Sequence, residues 1–173
     1  ASLSVLRLCN VGLTSPAFLP EFLTKLQVLD LSSNSLTGTL PDVPAYGPLQ
    51  QINLCDNALT GSLPSSWNYL SDLTHVELCN QQQGLTGSLP GDWLNFNMLQ
   101  VLNIASNRLD GQPLPTPLSN VWPAMVELDF SNNKFWGVLP ATMPFPRMKI
   151  FRASNNSFVQ DLVSDGAGGW ASD

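Results

Sequence analysis

Five of the 13 acidic residues and the one histidine are the candidates for acid–base or metal chemistry in this chain. They are Asp30, Asp56, Glu77, Glu127, Asp129 and His75. A carboxylate pair cleaves glycosides only when a cleft holds the two groups at a defined separation. A Ca²⁺ site gathers six to eight oxygens, usually on one folded loop. Apart from Glu127 and Asp129, these acids lie on separate stretches of sequence, so we expect neither a metal site nor a catalytic pair.

The rest of the sequence offers no other route to catalysis. His75 lies two residues before Glu77, where it could relay a proton, but an ordinary exposed polar residue is the commoner explanation. The sequence has no nucleophile motif, no phosphate loop and no metal-spaced cluster of Cys and His; the run DGAGG at 165–169 lacks the strand and helix of a phosphate loop. We predict a protein that is not an enzyme and holds no cofactor.

A repeated phrase shows which elements must position these residues. LDLSSNSLTGTLP at 29–41 returns as INLCDNALTGSLP at 52–64, as LTGSLP at 85–90 and as LDFSNNKFWGVLP at 128–140. An apolar residue in each copy marks the period: Leu13, Leu36, Leu59, Leu85, Leu109, Phe135 and Phe158. The intervals of 23, 23, 26, 24, 26 and 23 residues are typical of stacked repeats, in which each unit contacts only its neighbours.

One repeat contains the signals of a strand, a turn and an extended return. Leu26, Leu29 and Leu31 alternate as a short strand with one inward face requires. Asn34 follows three residues later, where asparagine tolerates the bent conformation and its amide can satisfy backbone groups of the turn and of the neighbouring repeat. The same slot is filled by Asn57, Asn107, Asn133 and Asn156. The glycine of LTG then permits a tight bend.

The run L-x-x-L-x-L-x-x-N-x-L-T-G-x-L-P resembles the plant-type subclass of leucine-rich repeat proteins. The runs LPSSW at 63–67 and LPGDW at 89–93 are also similar to surface leucine-rich repeat proteins of unicellular eukaryotes. The resemblance covers about residues 3–162. It implies an α/β repeat fold, a right-handed solenoid with short parallel strands on its concave face, a second short sheet from LTGxLP, and a convex face of loop and 3₁₀ helix. We predict about seven coils, one per repeat, over 1–163, followed by a flexible Gly-rich tail at 164–173.

Strand residues that point away from the core line up as outward columns, and we predict that they form a concave binding face. The face comprises Arg7, Asp30, Asn53, Asp56, His75, Glu77, Asn103, Glu127, Asp129 and Arg152. Its acidic, amide-rich middle favours a protein partner that is basic or carries carbohydrate; the alternative is that these positions are polar only for solubility. Seven strands about 4.8 Å apart give this face an area of roughly 300 Å². A standard interface buries ~800 Å² per partner, so other surfaces must contribute.

Two departures from the repeat mark other candidate surfaces. The fourth repeat is two residues longer than its neighbours between Leu78 and Leu85, and we expect a bulged loop and an interrupted asparagine ladder at Gln81–Gln83. The fifth repeat has an extra residue and a Pro-rich return at 113–123, so its convex edge should protrude. Irregular loops of this kind are where a specific partner contact is expected.

The tryptophans divide by location. Trp67 and Trp93 hold matching convex positions and should cover the core while their edges reach solvent. Trp122 and Trp136 lie near the irregular repeats. Core packing is the favoured role of each singly, and a convex contact patch is the alternative. The candidate contacts of the irregular loops are therefore Gln81, Gln82, Gln83, Trp122 and Trp136.

Cys9, Cys55 and Cys79 share one repeat position, directly after the last strand leucine, which small residues fill in the other repeats. Cys55 and Cys79 belong to adjacent coils, about 5 Å apart between α-carbons and within disulfide range. Their side chains should run parallel, however, which separates the β-carbons. We expect three buried free thiols, with a bridge between Cys55 and Cys79 as the alternative.

Composition limits the partners. Charged residues make up 12% of the chain, the net charge is −6 and the seven basic residues are scattered, so we expect neither nucleic acid nor an anionic membrane as a partner. No apolar run is long enough to insert into a membrane. Asn155-Asn156-Ser157 is the only N-x-S/T sequence, so an outward-facing Asn155 is a candidate glycosylation site in an exported chain.

We interpret the chain as a non-catalytic protein-interaction module of a larger surface or secreted protein, and by resemblance we expect it outside the cell or at its surface. The alternatives are a scaffold subunit of a stable intracellular assembly and an appended domain of a receptor kinase or an enzyme. Leu3, Leu6 and Leu8 begin the stack without a polar cap. Since a solenoid must hide its terminal apolar faces, we expect further repeats or other subunits to cover its ends.

Overall fold

The computed structural model describes residues 3–15, 25–43, 47–114, 121–139 and 145–160, and the predicted Gly-rich tail lies outside them. The strands are, in chain order, β1 (Val5–Arg7), β2 (Val28–Asp30), β3 (Thr37–Thr39), β4 (Gln51–Asn53), β5 (Ala58–Thr60), β6 (His75–Glu77), β7 (Thr86–Ser88), β8 (Val101–Asn103), β9 (Arg108–Gly111), β10 (Glu127–Asp129), β11 (Lys134–Leu139), β12 (Ile150–Arg152) and β13 (Ser157–Gln160). Within these ranges the helical elements are two 3₁₀ helices, η1 (Ser65–Tyr69) and η2 (Gly91–Asn95).

Seven short parallel strands form the concave sheet, in the order β1-β2-β4-β6-β8-β10-β12. The middle residue of each inner strand points into the core, and these residues are at most 1% exposed: Leu29, Ile52, Val76, Leu102 and Leu128. The residues on either side of them point outward. Because every coil buries its apolar residues against the next coil, the core is one continuous row along the stack. The predicted leucine-rich repeat solenoid is confirmed.

The LTGxLP segments form a second row of parallel strands, as the resemblance implied: β3 pairs with β5, and β7, β9, β11 and β13 form a four-stranded sheet. Each step is staggered by two residues, so Thr39 rather than Thr37 lies opposite Thr60. The Thr60 hydroxyl donates to the Gly38 carbonyl at 3.1 Å. A Cβ on Gly61 (φ 79°) would lie 2.8 Å from the Thr39 methyl carbon, and this close approach requires glycine.

The asparagine ladder ties neighbouring coils together. Asn57 Nδ2 donates to the carbonyls of Leu31 (3.1 Å) and Leu54 (3.0 Å), while its Oδ1 accepts from the Leu36 N–H at 2.9 Å. Asn57 is fully buried. Equivalent bonds to the preceding coil are made by Asn34, Asn107, Asn133 and Asn156. Since an unpaired buried backbone group costs about 1–3 kcal/mol, the ladder stabilises each junction between coils.

Gln81 occupies this slot in the fourth coil, so the predicted interruption of the ladder is wrong. Its Nε2 donates to the Leu54 carbonyl at 2.8 Å, and its Oε1 accepts from the Leu59 N–H at 3.0 Å. The slot requires a primary amide, which asparagine and glutamine both carry. Gln81 is 5% exposed, which removes it from the candidate contacts. The two extra residues, Gln82 and Gln83, follow the slot and are exposed.

The sharp turn after each concave strand lies one residue before the ladder position, not at the ladder asparagine as expected. The residues there have φ between 54° and 58°: Asn10, Ser33, Asp56, Asn80, Ser106, Asn132 and Asn155. Asn, Asp and Ser are common in this left-handed conformation because their short polar side chains can bond locally. Asp56 therefore belongs to a row of turn residues beside the concave sheet, where its carboxylate accepts a 3.1 Å hydrogen bond from Asn80 Nδ2.

Tryptophans on the convex side form another interlocking row. The Trp67 and Trp93 rings stack with centroids 5.7 Å apart, and their Nε1–H groups donate to the Pro41 and Pro64 carbonyls at 3.0 and 2.9 Å. Trp122 donates in the same way to the Trp93 carbonyl at 2.8 Å. All three rings are fully buried, because a carbonyl satisfies the one polar atom of each indole and no edge needs water. The expected solvent-exposed edges of Trp67 and Trp93 are therefore wrong. Trp122 packs in the core, as favoured for it, and is not available as a contact residue.

Cys55 and Cys79 form a disulfide between adjacent coils, with their α-carbons 4.5 Å apart. The expectation of three buried free thiols is wrong, because two of the cysteines are bonded and Cys9 is exposed. The coils approach closely enough for two side chains at equivalent positions to meet. Cys9 lies in the first coil and has no described coil in front of it.

Candidate functional site

The outward columns of the concave sheet have the register that the repeat predicted. Strand pairing orders the first column as Val5, Val28, Gln51, His75, Val101, Glu127 and Ile150. The second column reads Arg7, Asp30, Asn53, Glu77, Asn103, Asp129 and Arg152. Both columns cross the whole sheet. Most of the predicted binding residues are therefore on one face, where their individual hydrogen bonds decide which of them are available to a partner.

Most Asp and Asn side chains of the second column are engaged in holding their own coil. Asp30 Oδ1 accepts hydrogen bonds from the backbone N–H and the hydroxyl of Ser32 at 3.1 and 2.8 Å. Asp129 Oδ1 accepts from the same two groups of Ser131 at 2.9 and 2.6 Å. The amide oxygens of Asn53 and Asn103 accept the backbone N–H two residues further on. These are turns closed by a short acidic or amide side chain, and this role was missed in the sequence.

Glu77 is the exception in this column. The Cys79 N–H, which corresponds to the donor in the other coils, is satisfied by the Cys55 sulfur at 3.0 Å. In the part of the chain that the structure describes, the Glu77 carboxylate makes no hydrogen bond and no ion pair. Partial burial, followed by the negative charges of Asp30 and Glu127, raises the pKa of Glu77. The carboxylate is thus held where its negative charge has no compensating partner.

His75 lies beside Glu77 on β6, and its tautomer follows from its neighbours. His75 Nδ1 is 2.9 Å from the Thr74 hydroxyl, and that hydroxyl donates its proton to the Gln50 carbonyl at 2.9 Å. Nδ1 must therefore carry the hydrogen, which leaves Nε2 as an acceptor in the neutral ring. Burial lowers the pKa of His75, which favours the neutral ring. A proton relay would need a hydrogen bond that connects the two side chains. Among the described residues, no hydrogen bond joins His75 to Glu77.

A shallow depression of about 120 Å³ lies over the first four concave strands. The polar side chains that line it are Arg7, Asp30, Gln51, Asn53, His75 and Glu77. The Glu77 carboxylate, the second oxygen of Asp30 and His75 Nε2 are all acceptors. Arg7 is the one cation among them. Burial raises the pKa of Asp30, but the hydrogen bonds from Ser32, with smaller effects of Cys9 and of the Arg7 charge, lower it below its usual value. The depression therefore suits a ligand that donates hydrogen bonds and carries positive charge.

The C-terminal half of the concave face contains an internal ion-pair group. Arg152 Nη1 lies 2.9 Å from Glu127 Oε1 and 3.7 Å from Asp129 Oδ2. Asp129 is 8% exposed and also accepts the hydrogen bonds of Ser131 described above. These three predicted face residues are close together, and Arg152 offsets one of the two negative charges while the carboxylates make hydrogen bonds or ion pairs within the chain. The depression around Glu77 is therefore the part of the face with acceptors to offer.

The flank of the solenoid adds an exposed apolar surface. Trp136 and Val138 on β11 are 54% and 39% exposed, and Val159 on β13, opposite Val138, is 59% exposed. Trp136 is therefore exposed rather than packed in the core as favoured for it, and Gln82 and Gln83 on the fourth coil are exposed as well. Among the described residues, no group of three or more His, Cys, Asp or Glu could hold a metal ion. None of the helices in those ranges is long and apolar enough to cross a membrane.

Comparison with known proteins agrees with the repeat and the fold. The Leucine Rich Repeat family profile matches residues 25–46 and 48–70. A search of curated protein sequences gives no significant match. Repeats, solenoid and structural neighbours together make this chain a leucine-rich repeat protein with repeats of the plant type.

The structural neighbours are receptor ectodomains. A plant peptide hormone receptor, RGFR1 in complex with RGF2, is 26% identical with a TM-score of 0.76 over 90% of this chain and 25% of that one. The Arabidopsis receptor kinase HAESA, in complex with the peptide hormone IDA and the co-receptor SERK1, is 27% identical with a TM-score of 0.78 over 90% and 26%. The Arabidopsis BIR3–SERK2 complex is 28% identical with a TM-score of 0.61 over 82% and 71%. The chain thus spans about a quarter of the length of the first two.

Proposed function

We propose that this chain is a non-catalytic interaction module whose concave depression, centred on Glu77, binds a basic group of a protein or peptide partner. The observation that carries the proposal is the unpaired Glu77 carboxylate, in a column whose other acids close turns or form ion pairs. Its neighbours in the depression add further acceptors, which a guanidinium or an ammonium group can satisfy with several N–H donors. The peptide and co-receptor complexes of the structural neighbours support a partner of this class.

An extracellular or cell-surface location is part of the proposal. A disulfide persists in oxidising compartments and is rare in the cytosol, and the Cys55–Cys79 bridge fits the receptor ectodomains that resemble this chain. We further propose that the chain acts within a larger surface or secreted protein. Carbohydrate on the partner would add hydroxyl donors to the same acceptors.

A second candidate is a structural subunit of a stable assembly. The first coil exposes several large apolar side chains: Leu3, Val5, Leu8 and Val11. Side chains of this size at the end of a stack favour a covering coil or subunit. The same observation fits an appended domain of a receptor kinase or enzyme, in which further repeats would cover this end. Both alternatives leave the depression around Glu77 open.

The proposed site can be tested with a short peptide, because His75 is the only histidine and its ring protons report on the depression. Acetyl-Gly-Arg-Gly-amide is titrated into the protein while the His75 ring signals are followed by NMR. The matched control peptide contains citrulline, which keeps the shape of arginine without its charge. We expect the arginine peptide to shift the His75 signals, and the citrulline peptide to bind about tenfold or more weakly, because a charge-assisted hydrogen bond contributes about 1.5–3 kcal/mol.

Two variants locate the binding. Glu77→Gln should remove the preference for arginine while the fold is kept. Asp92→Asn makes the same change in net charge on the exposed, convex η2 helix and should leave the titration unchanged. Equal binding of both peptides, or an unaltered titration for Glu77→Gln, would contradict the proposed site.

A further inference from the structure

We propose that Asn155 is an N-glycosylation site and that its glycan marks the C-terminal limit of the partner-binding part of the concave face. The inference rests on the export of the chain, which is part of the proposed function. Asn155-Asn156-Ser157 is the one N-x-S/T sequence of the 173 residues. This sequence pattern is the acceptor for N-linked glycans in secreted proteins. What the structure adds is the direction of each of the three side chains.

The two residues that the modification requires are exposed, and the residue between them is not. Asn155 is exposed at the left-handed turn after β12, with φ 54°. Ser157 is exposed at the start of β13. Asn156 points inward as a ladder residue: its Nδ2 donates to the Phe130 carbonyl at 2.9 Å and its Oδ1 accepts from the Phe135 N–H at 3.0 Å. A glycan on Asn155 therefore leaves the ladder undisturbed.

The chemistry of attachment also preserves the local hydrogen bond. In the transfer, Asn155 Nδ2 bonds to C1 of a lipid-linked oligosaccharide, the bond from C1 to the pyrophosphate oxygen breaks, and Nδ2 loses one proton. The second Nδ2–H remains. In the structure Asn155 Nδ2 donates to Asn132 Oδ1 at 2.7 Å, a bond that needs only one hydrogen. The folded chain can therefore carry the glycan without losing this contact.

Other coils contain matched positions without the acceptor sequence. Asn10, Asn80 and Asn132 occupy the same exposed left-handed turn. The residues two positions later are Gly12, Gln82 and Lys134. Sequence rather than exposure thus distinguishes Asn155 from them. The substitution Lys134→Thr completes the acceptor sequence at Asn132, in the coil directly before, and provides a positive control with the same turn geometry.

The position of Asn155 predicts which part of the face stays free. The turn follows β12, three strands beyond the β6 strand that carries Glu77. Strands about 4.8 Å apart place the glycan roughly 14 Å along the stack from the depression. The glycan would stand beside Arg152, at the end where Glu127 and Asp129 already have an ion-pair partner. A partner is therefore directed to the first coils.

The test uses the full chain expressed with an export signal in a eukaryotic secretory host. Mass spectrometry of the secreted protein should show a glycan on Asn155 that peptide-N-glycosidase removes, with conversion of that residue to aspartate. Asn155→Gln and Ser157→Ala should each abolish it, and Lys134→Thr should add a second glycan at Asn132. A wild-type protein secreted without a glycan at Asn155 would overturn the proposal, whether or not Lys134→Thr is modified.

The arginine-peptide titration separates this inference from the proposed function. Glycosylated and enzymatically deglycosylated protein should bind the peptide with affinities within about twofold, because the two sites are separate. Loss of peptide binding on glycosylated protein alone would overturn the claim that the glycan lies beyond the binding part of the face. Absence of peptide binding on both forms, with the glycan present, would contradict the proposed function and leave the modification site intact.

Discussion

The substitution Gln81→Ala tests whether the amide ladder is continuous through the fourth coil. It removes the partner of the buried Leu59 N–H, which bonds the Gln81 side chain at 3.0 Å, and one of the two donors to the Leu54 carbonyl, which keeps its bond to Asn57. One unpaired buried group costs about 1–3 kcal/mol. We therefore expect destabilisation by about 1–3 kcal/mol. With a slope of about 2 kcal/mol per molar urea, the unfolding midpoint should fall by about 0.5–1.5 M.

Neighbouring residues supply the control for this experiment. Gln82→Ala removes the same side chain from an exposed position one residue further on, and surface substitutions of that kind usually change stability by less than about 0.5 kcal/mol. Urea unfolding followed by circular dichroism, with the Cys55–Cys79 disulfide intact in all samples, compares the variants. Equal midpoints for Gln81→Ala and Gln82→Ala would refute the reasoning. A changed slope would show that the solenoid no longer unfolds as one unit.

Two other predictions concern the convex row and the concave carboxylate. Trp93→Phe removes the shorter of the two hydrogen bonds to the Pro64 carbonyl, which keeps the Trp67 N–H at 3.3 Å, and opens a void in the core. It should lower stability by about 1–3 kcal/mol, whereas Trp136→Phe on the exposed flank should change the urea midpoint little. Similar midpoints for the two variants would contradict the stabilising role of the tryptophan row. Because the folded-state pKa of Glu77 is raised, the folded protein binds this proton more readily than the unfolded chain, and the carboxylate should cost stability as pH rises from about 4.5 through the raised pKa. Glu77→Gln should remove that loss in urea titrations from pH 4 to 8, and parallel pH profiles of the two proteins would contradict it.

The period of the repeat predicts the register of the concave sheet from the sequence alone. Because each repeat returns the chain to the same strand position, residues at equal distance from the inward leucine must pair, and the observed pairing of Asp30 with Asn53 follows this rule. The same repeat spacing predicts the buried ladder asparagines. The second sheet came from the family resemblance alone. Its two-residue stagger depends on the close approach of a threonine to a glycine, which the motif does not reveal.

The wrong predictions concern positions where a different residue or group can supply the same hydrogen bond. Gln81 lies three residues after Leu78, the same spacing as Asn34 from Leu31, so the signal for the ladder was present in the sequence. The prediction failed because it required asparagine at this position, whereas any side chain with a primary amide can make the same bonds. The complete burial of the Trp67 and Trp93 rings was missed for a related reason. A carbonyl of the preceding coil satisfies the indole N–H, and the sequence does not show which carbonyl lies within reach.

The concave face shows why outward direction alone overestimates a binding site. Asp30 and Asp129 both point outward, yet each accepts two hydrogen bonds from the serine two residues later, so replacing either would disturb its coil as well as its charge. Glu77 points outward without such a bond, because the sulfur of Cys55 takes the place that its carboxylate would fill. Neutralising Glu77 therefore changes the charge of the depression while the backbone keeps its bonds. This separation makes Glu77 the residue at which a loss of binding can be attributed to recognition.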